Sequence, residues 1–162
     1  SINKLISACF FFFFSFDEDY SDVYLKILKK LLINNNSLYI DYTVISEYIN
    51  RCHRIDYKTH KQKIKNHNLK YKDYRNSQQG QDSMKDIYSV TNNIIENFYN
   101  IVGKEYKLED IKSFIKKADE DFSDKAIINL CDEKSFYLLT NDIDFKNSGL
   151  NIISANENYF IN

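Results

Sequence analysis

Short apolar runs alternate along this chain with stretches whose apolar residues recur at helical spacing. The runs are LIS at the start, SLYI (Ser37 to Ile40), SFYLLT (Ser135 to Thr140) and LNIIS (Leu150 to Ser154). Between the first two, YSDVYLKILKKLLI places Val23, Ile27 and Leu31 on one helical stripe, with Tyr24, Leu28 and Leu32 beside it and Asn34-Asn35-Asn36 as the stop. TVISEYINRCHR follows Asp41 as a second helix. Later helices are expected from Met84 through Ile87, Val90, Ile94, Ile95 and Phe98 toward Gly103, from Leu108 to Lys117, and over DFSDKAIINLCDE. Strands that alternate with helices predict an α/β fold, with a mostly parallel central sheet covered on both faces as a three-layer α/β/α sandwich. At 162 residues the length fits one domain, 1–162. Between Tyr57 and Gln81 the apolar period fades, so a basic loop or exposed helical insertion is expected at about 56–82.

The opening LISACFFFFFSF (Leu5 to Phe16) holds too few apolar residues for a membrane span, which needs about twenty. A signal peptide would put its small residues after the apolar run, whereas Ser7-Ala8-Cys9 precede the phenylalanines. The same residues resemble a lipoprotein box, but too little apolar sequence comes before Cys9. A buried strand running into the start of a helix is the remaining reading. Cys9, Cys52 and Cys131 are odd in number and form no CxxC pair, which suggests plain thiols in a reducing, cytoplasmic setting with no membrane partner.

In parallel sheets ligands bind beyond the carboxyl ends of the strands. That rule selects Ser7, Asp41, Thr140, Asn141 and Asp142, joined by Glu47, Asp121 and Asp124 near helix starts. Carboxylates without a neighbouring histidine suit a hard divalent ion, Mg2+ or Mn2+. The matching chemistry is phosphodiester hydrolysis, in which the ion activates water and neutralises phosphate charge. Each carboxylate has a plainer alternative. Asp124 at a helix start gains about 0.3–1 kcal/mol from the helix dipole, with Asp121 or Ser123 as the cap. Asp142 and Asp144 are also typical turn formers, and Glu47 could be an ordinary exposed helix residue.

IDYTVISEYINRCHR, followed by KADEDFSDKAIINLCDEKSFYLLTNDIDFKNSGLNIISAN, resembles the PIN-domain family, metal-dependent nucleases that include the toxins of many bacterial toxin-antitoxin pairs. The resemblance is strongest from Asp121 to Asn156, in DFSDKAII, LLTNDIDF and LNIISAN. It implies a ribonuclease in which Glu47, Asp124 and Asp142 bind Mg2+ or Mn2+. Asp144 would be an accessory ligand, and Thr140 and Asn141 would support the site. The partners it implies are an RNA substrate, an antitoxin protein and a second copy of the chain. The family's first strand ends in an aspartate. The resemblance places Ser7 at that aspartate and Cys9 at the following asparagine, and a neutral hydroxyl does not offset a doubly charged ion. This departure implies an alternative: a PIN-like module without catalysis that binds RNA or a protein partner. A competing alignment makes Asp41 the first carboxylate and Glu96 the second.

The formal charge is -1, yet Arg51 to Arg75 holds nine Lys/Arg against Asp56 and Asp73, an excess of seven. Asn50, Arg51, Arg54 and Arg75, with Tyr57, Tyr71 and Tyr74 interleaved, suit phosphates and exposed bases. A solvated lysine-rich surface is the plainer alternative. His53, His60 and His67 are seven apart, roughly 10 Å per step along a helix, so they share no metal.

Overall fold

The computed structural model describes residues 4–7, 18–116 and 121–160. The helix start expected within residues 8–17 lies outside them. The chain divides into two compact units, Ser1–Val44 with Tyr99–Asn162, and Ile45–Phe98.

The first unit is built on five parallel strands: β1 (Lys4–Ser7), β2 (Ser37–Asp41), β3 (Asn100–Val102), β4 (Tyr137–Leu139) and β5 (Ile152–Ile153). Their order is β3-β2-β1-β4-β5, so β1 is central. Ile6 lies opposite Tyr39 on one side, and Ser7 opposite Leu139 on the other. Asp41 pairs with Val102, and Leu139 with Ile153. Leu38, Ile40, Leu138 and Leu139 are all buried, so side chains on both faces of the sheet are covered, as a parallel sheet requires.

Three helices belong wholly to this unit: α1 (Glu18–Ile33), α5 (Leu108–Lys116) and α6 (Phe122–Lys134). On α1 the inward stripe is Tyr24, Leu28 and Leu31, whereas Val23 and Leu32 are exposed. The asparagine run stops the helix as expected. Asn35 takes the left-handed conformation at φ 56°, and the Asn36 N–H returns to the Leu31 carbonyl. Ser135 does the same after α6 at φ 54°, and the Phe136 N–H closes onto Cys131 O at 2.9 Å. The chain then reverses directly into β4, so α6 starts at the end of the sheet where β4 finishes.

β3 departs from the sequence expectation. The helix expected to run toward Gly103 ends at Phe98, and Asn100–Val102 becomes an edge strand. Ile101 and Val102 satisfy either period, and three residues are too few to display alternation.

α2 (Tyr42–Lys63) begins in the first unit and supplies most of its length to the second, which also holds α3 (Tyr71–Asn76) and α4 (Gln78–Phe98). The stretch expected as a basic loop or helical insertion lies here, in the last part of α2, in α3 and in the first turn of α4. A polar and aromatic cluster holds these helices. His53 is fully buried; its Nε2 faces Gly80 O at 3.0 Å and its Nδ1 faces the Tyr71 hydroxyl at 2.8 Å. Buried Tyr74 donates a short hydrogen bond to Asp56, and its own burial, then that contact, push its hydroxyl pKa up to about 12. Among the described residues no helix is long and apolar enough to cross a membrane.

Candidate functional site

The carboxyl ends of the strands gather several of the expected residues. Ser7 closes the central strand β1; its side chain lies outside the described ones. On the next strand Asp41 closes β2 and is buried, with one carboxylate oxygen accepting the Thr43 N–H at 2.7 Å at the start of α2. Its negative charge reaches Cys131, whose thiol is pushed up to about 12, chiefly by burial.

On the other side of β1 the chain leaves β4 through Thr140-Asn141-Asp142. Thr140 is buried, and its Oγ1 accepts the Asp142 N–H at 3.0 Å. Asp142 caps the short 3-10 helix Ile143–Asn147, its Oδ1 accepting from the Asp144 N–H at 3.0 Å. Tyr159 donates a short hydrogen bond to the Asp142 carbonyl. The turn-forming alternative for Asp142 is therefore present, with one carboxylate oxygen engaged. Asp144 is exposed on the same short helix.

Asp124 is half-buried in the first turn of α6, at the end of the sheet that β4 leaves. The capping position before it is Asp121, which makes no side-chain cap bond. Glu47 belongs to the second unit, exposed on α2. Glu96, from the competing alignment, is exposed on α4.

Among the described residues no three His, Cys, Asp or Glu side chains are gathered closely enough to hold a divalent ion. With Ser7 neutral and one Asp142 oxygen engaged in its own turn, the described residues as placed do not by themselves complete a site for Mg2+ or Mn2+.

One residue at this end was not singled out from the sequence. Tyr24 of α1 is fully buried, and its hydroxyl faces Thr140 O at 3.1 Å, Asn141 Oδ1 at 3.0 Å and Ser154 Oγ at 3.3 Å. It also accepts the Ala155 N–H at 2.9 Å. The Asn156 side-chain amide adds a bond to Asn141 O at 2.8 Å. Together they tie the exits of β4 and β5. The available signal was a tyrosine on the inward stripe of a helix, since a buried tyrosine hydroxyl needs a polar partner.

The second unit carries the basic residues. Asn50, Arg51, Arg54 and Lys58 are exposed and share one stripe of α2 by their spacing, the stripe that also bears Glu47. Lys63, Lys65, Lys70, Lys72 and Arg75 are exposed on the end of α2, the following turn and α3. Lys61 is tied down, donating to Leu69 O at 3.2 Å and to the Tyr57 hydroxyl at 3.3 Å. Asp56, which accepts from Tyr74, and Asp73 are the two carboxylates within the span 51–75. Arg54 lies over the Tyr71 ring, its guanidinium carbon 4.7 Å from the centroid.

Compared with family models and with curated proteins, the chain matches none. Among solved structures it is similar to PAE2754 from Pyrobaculum aerophilum, at 12% identity and a TM-score of 0.49, over 98% of this chain and 93% of that one.

Proposed function

We propose that this chain is a PIN-like protein, a three-layer α/β/α sandwich with a helical unit attached, that binds RNA in the cytoplasm through its second unit. The observation that carries this reading is the cationic span from Arg51 to Arg75, which has an excess of seven positive charges, most of them on exposed side chains. An excess of surface cations over carboxylates attracts phosphates, whose binding releases condensed counterions. Asn50, Arg51, Arg54 and Arg75 are the contacts expected first. The test is RNA binding by the full chain at rising salt. Each cation removed should lower the slope of log affinity against log salt by about one, and a slope unchanged by the loss of several would refute the reading.

A second reading keeps the chemistry that the family resemblance implies: RNA hydrolysis dependent on Mg2+ or Mn2+, with Glu47, Asp124 and Asp142 as the acidic residues, Asp144 accessory and an antitoxin as partner. It is favoured by the position of Asp124 and the Thr140-Asn141-Asp142 turn at one end of the sheet. Cleavage in Mn2+ by the unaltered protein, abolished by Asp124→Asn, would establish it. Cleavage by Ser7→Asp alone would leave the chain as a binding module whose fold has lost its chemistry, and failure of both would remove hydrolysis altogether.

A further inference from the structure

Arg54 differs from the other cations around it. It is exposed, its one contact among the described residues is the Tyr71 ring, and so its guanidinium N–H groups are uncommitted. The ring beneath it is fixed in three ways. The Tyr71 hydroxyl is 2.8 Å from His53 Nδ1. A carbonyl only accepts, so His53 Nε2 carries a proton toward Gly80 O, and Nδ1 and the Tyr71 hydroxyl share the second bond. Two further rings pack on Tyr71 in edge geometry, His53 at 5.5 Å and Tyr57 at 5.5 Å. The guanidinium thus lies over a ring that is itself held by a fully buried histidine.

From this arrangement we propose that Arg54 on Tyr71 is a stacking platform for an unpaired base, so that the basic unit takes single-stranded rather than duplex RNA. This rests on the RNA-binding reading above and deepens it. A planar cation with one face on an aromatic ring presents its other face to a base, and stacking of this kind needs a base free of its helix. Duplex RNA offers this surface only phosphates and hydroxyls. Exposed Lys58, one helical turn along α2, supplies the adjacent phosphate contact.

The experiment measures anisotropy of a labelled oligouridine of about twelve nucleotides and of a duplex of equal length, with the full chain in chelator so that binding is read without turnover. The single strand should bind more tightly than the duplex. Arg54→Lys keeps the charge and removes the plane, so it should weaken single-strand binding about tenfold, leave the salt slope unchanged and barely affect the duplex. Lys58→Ala should instead lower the slope by about one for both RNAs. Tyr71→Phe, which keeps the ring, should retain single-strand binding. Equal affinity for the two RNAs, or an Arg54→Lys protein that binds like the unaltered one, overturns the platform while the phosphate reading stands. Binding of neither RNA by the unaltered protein overturns both.

Discussion

Gly80→Ala adds one methyl group where there is no room for it. A Cβ at Gly80 would lie 2.0 Å from Tyr74 O, 2.8 Å from Tyr74 C and 3.0 Å from Arg75 Cα. All three are backbone atoms, so no side chain can swing aside. α3 must move away from α4, and the Gly80 carbonyl that receives His53 moves with the contact. Overpacking costs about 1–3 kcal/mol, and backbone obstruction puts this case near the upper value. Loss of the bond to buried His53 adds about 1–3 kcal/mol. Against these, alanine is favoured over glycine within a helix by about 1 kcal/mol. The net is a loss of about 3–5 kcal/mol, more than a hundredfold in the folding equilibrium of this unit. Urea titration followed by circular dichroism measures it, with Gly103→Ala as the control because no atom lies within 4 Å of a Cβ there. Should Gly80→Ala match or exceed the unaltered protein in stability, helix propensity alone governs the position and the close approach of α3 to α4 is refuted.

Further outcomes follow from other contacts. Tyr24→Phe should cost about 1–3 kcal/mol, because the Ala155 N–H and the Asn141 side chain lose a buried partner; an unchanged urea midpoint would show that water replaces the hydroxyl. Half-buried Lys104 bonds Glu133 at 2.8 Å, which holds the Glu133 carboxyl below its ordinary range and raises Lys104 above its own. Stability from the lowered Glu133 is present above its unfolded value and lost as acid titrates the folded carboxyl. Stability from the raised Lys104 is present below its unfolded value and lost only in alkali. Glu133→Gln should therefore flatten the fall in urea midpoint between about pH 5 and 3, and an unchanged fall would leave the pair without weight. Burial raises the thiols of Cys52 and Cys131, so alkylation mapped by mass spectrometry at neutral pH should spare both until urea is added; prompt labelling of Cys131 would contradict its burial.

The sequence was most legible where a period ran long or a stop signal was strong. Tyr24, Leu28 and Leu31 with the asparagine run define α1, and DFSDKAIINLCDE is α6 almost to the residue. β3 was hidden because its three residues also continued the period of α4. The basic stretch hid its structure for another reason. α2 runs on to Lys63 and α3 forms beyond it, and their cohesion comes from Tyr57, Tyr71, Tyr74, His53 and Asp56. A count of aliphatic periodicity does not register such a polar and aromatic core. At the sheet end, the Thr140-Asn141-Asp142 turn was visible as a motif, but the hydroxyl of Tyr24 that braces it comes from more than a hundred residues earlier.

The position of β1 has a consequence for the order in which the molecule assembles. Its partners are β2 and β4, so Leu5 must meet Tyr137 before the middle of the sheet is complete. Most of the chain must emerge from the ribosome first. The helices of residues 45–98 are contiguous and need no such wait, and contacts close in sequence form sooner than distant ones. Pulse-labelled hydrogen exchange during refolding should find the amides of α4 protected ahead of those of β1 and β4. Simultaneous protection would mean that the two units share one folding barrier.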